Sequence, residues 1–434
     1  MWAVVDSTNM KRAISRMAAA IAVIILVVVA GGGIYYFTTT GPTSNVTTVK
    51  IGIVEPLTGS YAIFGTEAVA GAQIAIDHIN AAGGIKNMGG AKLELLVQDS
   101  QSTIDGAKAA AQKLVSVDQV KILLGAYISR QTLGMLAVTD PAKVLTVIDG
   151  IVDYLTASNY SYVFRVAPKQ SVYAITAAQF VHDQALAKNL TIKRVVILNE
   201  DSIFGKMGAL GFEQQSLTYQ WDVVDRVEYS SDITDMTAIV QRVINDKPDV
   251  VFSVPYFTDG VLFAKTAQTL GLKPMFIAGA GASGYADPQS IQAGGSAVNY
   301  YTMTYGYNPM KNTPANNKFV DDFKAKYNRL PTDSSGEIYY SVWVVKEALE
   351  QAATLNPSDP LNGDTLKKAM LSLDLTTGPA AETYPTGHIK FMDNGDNQYG
   401  GTVVLQVIGN SAYLVYPATG AERAPVFPRP DWTP

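Results

Sequence analysis

The residue types that perform covalent chemistry are sparse in this chain. It has no cysteine, which excludes a thiol nucleophile and cysteine-based metal sites. No G-x-S-x-G nucleophile motif occurs, and no nucleophile is paired with a base. The histidines lie in separate segments without the spacing of a metal site, at His78, His182 and His388. We therefore expect no catalysis, no metal and no cofactor.

Two further motifs have both a chemical and a structural interpretation. Glu200 and Asp201 suit general acid–base work, but acids that follow a predicted strand also stabilise the start of a helix. Residues 279–284 spell G-x-G-x-x-G, yet Pro288 follows closely, whereas a nucleotide site needs a helix to begin at once. We favour a helix start for the first motif and a loop for the second.

The side chains that suit noncovalent binding follow predicted strands. Aromatic, hydroxyl and acidic residues occur together in the segments 56–65, 125–132, 149–155, 199–205, 255–260 and 279–285. In open parallel sheets, ligands bind outside the carboxyl ends of the strands. The sequence therefore predicts a small-molecule site built from these loops.

The elements that position these loops alternate between strand and helix. Short apolar runs predict strands, and apolar residues at helical spacing between them predict helices. The predicted strands are 49–54, 93–97, 120–124 and 144–148, then 195–198, 223–227, 250–254 and 275–278. This alternation predicts the α/β class, with two doubly wound parallel-sheet lobes.

Length and charge agree with two domains and a small ligand. The chain has 434 residues, which is long for one hydrophobic core. Its formal charge of -5 and the lack of a basic stripe argue against a nucleic-acid partner.

The N-terminal segment predicts a membrane anchor. Residues 17–37 contain no charge, and a helix of that length spans a bilayer. Lys11, Arg12 and Arg16 precede it, and the next basic residue is Lys50, so residues 1–16 are expected in the cytoplasm and the main domain outside the cell. Residues 38–48 read as a Thr/Ser/Pro linker. The alternative is a cleaved signal peptide.

A short motif borders this segment. Lys11-Arg12-Ala13-Ile14-Ser15 resembles the class III signal of archaeal type IV pilin-like proteins. The resemblance implies cleavage between Ala13 and Ile14, with the apolar segment retained.

Much longer stretches carry a second resemblance. KIGIVEPLTGSYAIFGTEAVAGAQIAIDHINAAGGI, LGAYISRQTLGM, ILNEDSIFGKMGALGF and SDITDMTAIVQRVINDKPDVVFSV occur in collinear order. Together they resemble the type I periplasmic binding proteins of the leucine/isoleucine/valine-binding group, over about residues 49–410.

The resemblance implies a fold and a function. Two lobes joined by three crossings close around a solute and present it to the permease of an ABC importer. Lobe one is expected to comprise 49–167 and 304–398, and lobe two 168–303 and 399–434. We expect a membrane-anchored monomer whose partners are the solute and the permease.

The resemblance also implies site residues. Ser129 matches the hydroxyl that holds a ligand carboxylate, with Thr132 capping the same turn and Tyr127 in the same loop. Phe64, Phe204, Tyr256 and Phe257 match the aromatic walls around the ligand side chain.

Two departures bear on the ligand. Ile151 stands where the group has a threonine, and Ala280 stands where it has the acid that meets the ligand ammonium. Asp149 is a candidate replacement for that acid, with Gly150 beside it. The alternative is that Asp149 is a turn residue before Gly150.

The solute class stays open between a branched-chain-like amino acid, an amide or urea, and an aromatic acid. A ligand-sensing receptor ectodomain and a pilin-like structural subunit are the alternative functions.

Overall fold

The computed structural model describes residues 22–27, 34–39, 46–157, 159–281 and 284–432. Of the predicted site loops, only residues 282–283 lie outside these ranges.

The N-terminal apolar segment contains two short strands. β1 (Ala22–Val27) and β2 (Ile34–Thr39) pair antiparallel. This corrects the prediction of one continuous helix over 17–37: Val, Ile and Tyr favour strands, and glycines at 31–33 disfavour a helix. The rest of that range, the motif at 11–15 and residues 40–45 of the linker lie outside the described residues. No helix in the described part of the chain is long and apolar enough to cross a membrane.

Lobe one is built on a five-stranded parallel sheet. Its order is β4-β3-β5-β6-β7, with β3 (Thr48–Glu55), β4 (Lys92–Asp99), β5 (Ile122–Gly125), β6 (Leu145–Ile148) and β7 (Val163–Arg165). Both faces are covered, because Leu123 packs into one hydrophobic core while Ile122 and Leu124 pack into another. This explains why the central strand β5 reads as an unbroken apolar run.

Lobe two is built on a seven-stranded mixed sheet. Its order is β16-β15-β12-β11-β10-β8-β9, with β8 (Arg194–Glu200), β9 (Asp222–Tyr229), β10 (Val250–Val254), β11 (Phe276–Ala280), β12 (Thr302–Tyr305), β15 (Val403–Ile408) and β16 (Ser411–Tyr416). Strands β8 to β12 are parallel, and β15 and β16 add an antiparallel hairpin. A separate antiparallel pair comprises β13 (Asp374–Leu375) and β14 (Ile389–Lys390).

Helices fill the connections. In chain order they are α1 (Ala62–Ala81), α2 (Ile104–Ser116), α3 (Ser129–Thr139), α4 (Tyr154–Ala157), α5 (Gln170–Ala187), α6 (Ile203–Thr218), α7 (Thr237–Asp246), α8 (Phe257–Leu270), α9 (Pro288–Gly294), α10 (Pro314–Tyr327), α11 (Asp333–Leu355), α12 (Gly363–Ser372) and α13 (Gly378–Thr383), with 3-10 turns at Lys86–Met88 and Gly295–Val298.

The chain passes between the two sheets after Arg165, after Tyr305 and before Val403. Doubly wound lobes with this three-crossing connection are the predicted fold class. The predicted lobe boundaries stay a prediction, and Thr304 and Tyr305, assigned to lobe one, pair in the sheet of lobe two.

One close helix contact positions part of the site. Helix α11 lies along α1 in lobe one, and a Cβ at Gly71 would lie 2.0 Å from the carbonyl oxygen of Ser335. Only glycine permits this approach, which fixes the first turns of α11 against the end of the sheet.

Candidate functional site

A small cavity lies between the lobes at the carboxyl ends of both sheets. Lobe one contributes Tyr127, Ser129, Asp149, Ile151, Asp333 and Glu337, and lobe two contributes Tyr173, Phe204 and Tyr256. The cavity holds about 10 Å³, room for about one water molecule. The lobes are therefore closed on each other in this structure.

Ser129 begins helix α3 and is 2% exposed. The amide of Val152 donates to its hydroxyl oxygen at 3.4 Å, which ties the loop after β5 to the loop after β6. The first amides of a helix lack intrahelical acceptors, and the helix dipole favours a negative charge there. This end of the cavity can hold a carboxylate.

Asp149 follows β6 and is 1% exposed. Neither of its carboxylate oxygens has a well-formed hydrogen bond to the described residues. Burial raises its pKa to about 7. Burial, and then the charge of Asp149, raise the pKa of Glu55 well above its usual value. Two buried carboxyls that face each other repel when both are ionised, so this position favours a ligand cation.

Two further acids line the cavity from helix α11. Asp333 and Glu337 are four residues apart on one helix face, and each is 1% exposed. One Glu337 oxygen, Oε1, accepts from the Tyr173 hydroxyl at 2.7 Å, while Oε2 has no partner among the described residues. The Oδ1 atom of Asp333 accepts from the amide of Tyr307 at 3.0 Å. Burial, and next the charge of Asp287 for Asp333 and of Asp333 for Glu337, raise both pKa values well above the usual range.

These carboxyls do not form a metal site. In the ranges that the structure describes, no group of three or more His, Cys, Asp or Glu side chains is arranged to hold a metal ion.

Aromatic rings wall the cavity and connect it to an outer cleft. Phe64 stacks on Tyr127 with centroids 5.0 Å apart, and Phe204 lies 4.7 Å from Tyr256. Phe64 meets Tyr256 across the lobes at 5.8 Å. Beyond these rings a cleft of about 280 Å³ opens between Tyr61, Phe64 and Tyr256 on the inside and Phe257 at the mouth.

The predicted site residues fall into three groups. Tyr127, Ser129, Asp149, Phe204 and Tyr256 line the inner cavity, and Phe64 and Phe257 line the outer cleft. The other two predicted residues support the loops instead of lining the cavity.

Thr132 and Gly150 are those supporting residues. The Thr132 hydroxyl donates to the carbonyl of Ala126 at 2.5 Å. A Cβ at Gly150 would lie 2.5 Å from the Thr132 hydroxyl oxygen, so glycine allows the two loops to approach.

Glu200 forms the start of a helix, as predicted. Its Oε2 accepts from the amide of Ser202 at 2.6 Å, and its Oε1 accepts from the amide of Gly205 at 2.7 Å. The acid therefore anchors the first turn of α6.

Sequence reasoning missed Tyr173, Asp333 and Glu337. The available signal was the spacing of the two acids, because residues four apart share a helix face. Their neighbours Ser334 and Ser335 are also fully buried, so the start of α11 is a buried polar surface.

Comparisons with known proteins agree with this architecture. The sequence model of a family described as periplasmic binding protein matches residues 48–409. The Leu/Ile/Val-binding protein homolog 8 of Brucella melitensis is 28% identical over 390 residues, which cover 87% of this chain and 93% of that protein.

Solved structures of binding proteins have the same fold. A leucine-binding protein of Thermotoga maritima superposes with a TM-score of 0.73 at 24% identity, covering 85% of this chain and 97% of that one. A branched-chain amino acid transporter substrate-binding protein of Streptococcus pneumoniae in complex with isoleucine gives 0.71 at 22% identity, covering 84% and 97%. The family match covers most of the chain and includes every residue of the inner cavity, and this protein belongs to the periplasmic binding protein family.

Proposed function

We propose that this protein is the solute-binding subunit of an ABC importer and captures an amino acid or a related small polar solute between its lobes. The observation that carries the proposal is the inner cavity, where a helix start with a buried hydroxyl at Ser129 lies beside the buried carboxyl of Asp149, which faces Glu55. An amino acid has the complementary pair of charges.

The geometry suggests a role for each group. Ser129 and the first amides of α3 receive the solute carboxylate, and Asp149 receives the ammonium in a charge-assisted hydrogen bond. Phe204 and Tyr256 come from the opposite lobe, so the solute contacts both lobes only when they are closed. Solute binding then shifts an open–closed equilibrium by its greater affinity for the closed form.

The family consists of binding proteins, and catalysis forms no part of this proposal. The permease is the second partner, and we propose that the subunit acts as a monomer.

We also propose that the main domain acts outside the cytoplasmic membrane and is held there by residues 17–37. The uncharged sequence and the basic residues before it support this. A two-stranded hairpin leaves backbone groups unsatisfied in lipid, so anchoring requires this segment to become helical in the bilayer. Carbonate-resistant membrane sedimentation of the full chain, but not of residues 46–434, is the expected result. Intact mass would show whether the chain is cut after Ala13.

A thermal-shift screen tests the function. A solute at about 100 times its Kd stabilises the folded protein by about 2.7 kcal/mol, so the correct solute raises Tm clearly. Ser129→Ala should reduce that rise, and Ser216→Ala, which alters another fully buried serine, should not. If no amino acid, amide or organic acid raised Tm, or if Ser129→Ala responded as the wild type does, the proposal would be wrong.

A further inference from the structure

The inner cavity has more carboxyl groups than one amino acid ammonium can contact. Asp149, Asp333 and Glu337 line it, and no lysine, arginine or histidine is among its lining residues in the described chain. The Oε2 atom of Glu337 has no hydrogen bond to the described residues, and the Asp149 carboxyl interacts with the buried carboxyl of Glu55. Each of the acids that line the cavity is 1% exposed, so bulk solvent does not reach them.

The nearest guanidinium is not free to neutralise this acid. Arg165 lies under the loop that carries Asp149 and is fully buried. Its five N–H donors are all engaged: two by Asp396, two by the carbonyls of Gly150 and Val152, and one by Thr156. The positive charge of Arg165 is therefore already paired with Asp396 at 2.6 Å.

Asp149 and Glu337 have different positions in the cavity. Asp149 is at the end of β6, beside Ser129, whereas Glu337 is on α11 and also contacts Tyr173 of lobe two. An amino acid with its carboxylate at Ser129 and its ammonium at Asp149 leaves Glu337 facing the solute side chain. An apolar side chain would bury that Glu337 oxygen without a partner, which is costly.

We propose that the site selects a cationic amino acid, with Asp149 receiving the α-ammonium and Glu337 receiving the positively charged end of the side chain. This inference rests on the proposed function and names its substrate class. The rings of Tyr127, Phe204 and Tyr256 then contact the methylene stem and offer their faces to the cation.

The entrance has the same sign of charge. Three acids line the outer cleft: Asp232 is exposed, whereas Glu200 and Asp259 are buried and bonded within lobe two. Arg130 lies over the Tyr61 ring, 5.4 Å from its centroid. An acid-lined cleft raises the local concentration of a cationic solute.

Titration calorimetry with matched solutes tests the inference. L-lysine and L-norleucine differ in the terminal ammonium, and L-arginine and L-citrulline differ in the charge of the terminal group. We expect each cationic member to bind at least about 30-fold more tightly, the effect typical of a buried charged partner. Glu337→Gln should remove most of that preference. Glu347→Gln, on the same helix but at the surface, should keep it.

The outcomes separate this inference from the proposed function. If lysine and norleucine bound equally tightly, and Ser129→Ala abolished the binding of both, the cationic selection would be overturned and the capture function would stand. Tight binding of acetamide or urea in preference to lysine would also overturn it. Failure of every solute would overturn both. The comparison of lysine with norleucine on the wild-type protein keeps the test decisive if Glu337→Gln does not fold.

Discussion

The hydroxyl of Tyr173 donates to Oε1 of Glu337 at 2.7 Å, and this bond joins the two lobes. Tyr173 is in the first turns of α5 in lobe two, and Glu337 is in the first turns of α11 in lobe one, 164 residues away. Burial, and then the charge of Glu337, raise the pKa of Tyr173 well above its usual value, so the hydroxyl keeps its proton. Both partners of the bond line the inner cavity, and we expect the bond to break when the lobes open.

Tyr173→Phe should weaken solute binding without unfolding the protein. The variant removes one oxygen atom and with it the hydrogen bond to Glu337, so it destabilises the closed form. A hydrogen bond between uncharged groups contributes about 0.5–1.5 kcal/mol, which corresponds to a Kd about two- to tenfold higher by calorimetry. Tyr413→Phe, on edge strand β16, is the control. An unchanged Kd in Tyr173→Phe would show that the bond does not contribute to closure.

Gly306→Ala should hold the lobes apart. A Cβ at Gly306, directly after β12, would lie 2.1 Å from Oε1 of Glu337 and 2.3 Å from the Tyr173 hydroxyl oxygen. Gly400→Ala is the matched control near the third crossing, because a Cβ there would approach no atom closer than 3.3 Å. We expect the radius of gyration of Gly306→Ala from X-ray scattering to exceed that of the control at saturating solute. Equal radii would contradict a steric role for this position.

Arg165→Met should destabilise lobe one strongly. Arg165 is fully buried and bonds Asp396 and the carbonyls that support the Asp149 loop, so its loss leaves a buried carboxylate unpaired. Breaking a buried ion pair from one side costs about 3–5 kcal/mol, measurable as the free energy of unfolding in urea. Lys143→Met removes the exposed pair with Asp364 and should change little. A similar decrease in the free energy of unfolding in both variants would show that the buried hydrogen bonds of Arg165 do not stabilise lobe one.

The free energy of unfolding of the solute-free protein should fall as the pH rises from about 4 to about 7. Burial raises the pKa of Asp149 from 3.8 to about 7, so in this range the folded protein binds a proton that the unfolded chain has lost. Each rise in pH therefore favours unfolding until the folded group has also titrated. The groups facing Asp149 include Glu55 and Glu337, which are raised in the same direction, and Arg165, which is paired.

Asp149→Asn checks this dependence. The variant has no titrating carboxyl at position 149. Between pH 5 and pH 8 its Tm should therefore fall less than the Tm of the wild type, and the difference between the two falls should be about 3 °C or more. Asp259, whose pKa burial also raises to about 7, lies in lobe two and should contribute equally in both proteins. Identical losses of Tm would assign the pH effect to groups other than Asp149.

Local patterns in the sequence predicted four strands of each large sheet and much of the cavity wall. Strand ends carry Ser129, Asp149, Phe204 and Tyr256, and parallel sheets bring such ends together, so the geometry follows from the class of fold. The role of Glu200 as a helix start also followed from its place after β8.

The remaining contacts depend on packing that local patterns do not encode. Glu337 reaches the cavity because Gly71 lets α11 approach α1, and Tyr173 reaches Glu337 because the crossing at Gly306 brings the lobes together. Hydrophobicity alone predicted a helix over 17–37, whereas β-branched residues and a glycine triplet favour the strands β1 and β2.

The distance between the lobes with and without solute tests the central claim most directly. The chain has no cysteine, so spin labels at Ser60→Cys and Asp232→Cys report on that distance alone. Both residues are exposed and line the cleft mouth, one in each lobe. Double electron–electron resonance should give a shorter, narrower distance distribution at saturating solute, and no such change in a Ser129→Ala background. A distribution that stayed the same with a solute that raises Tm would contradict capture by lobe closure.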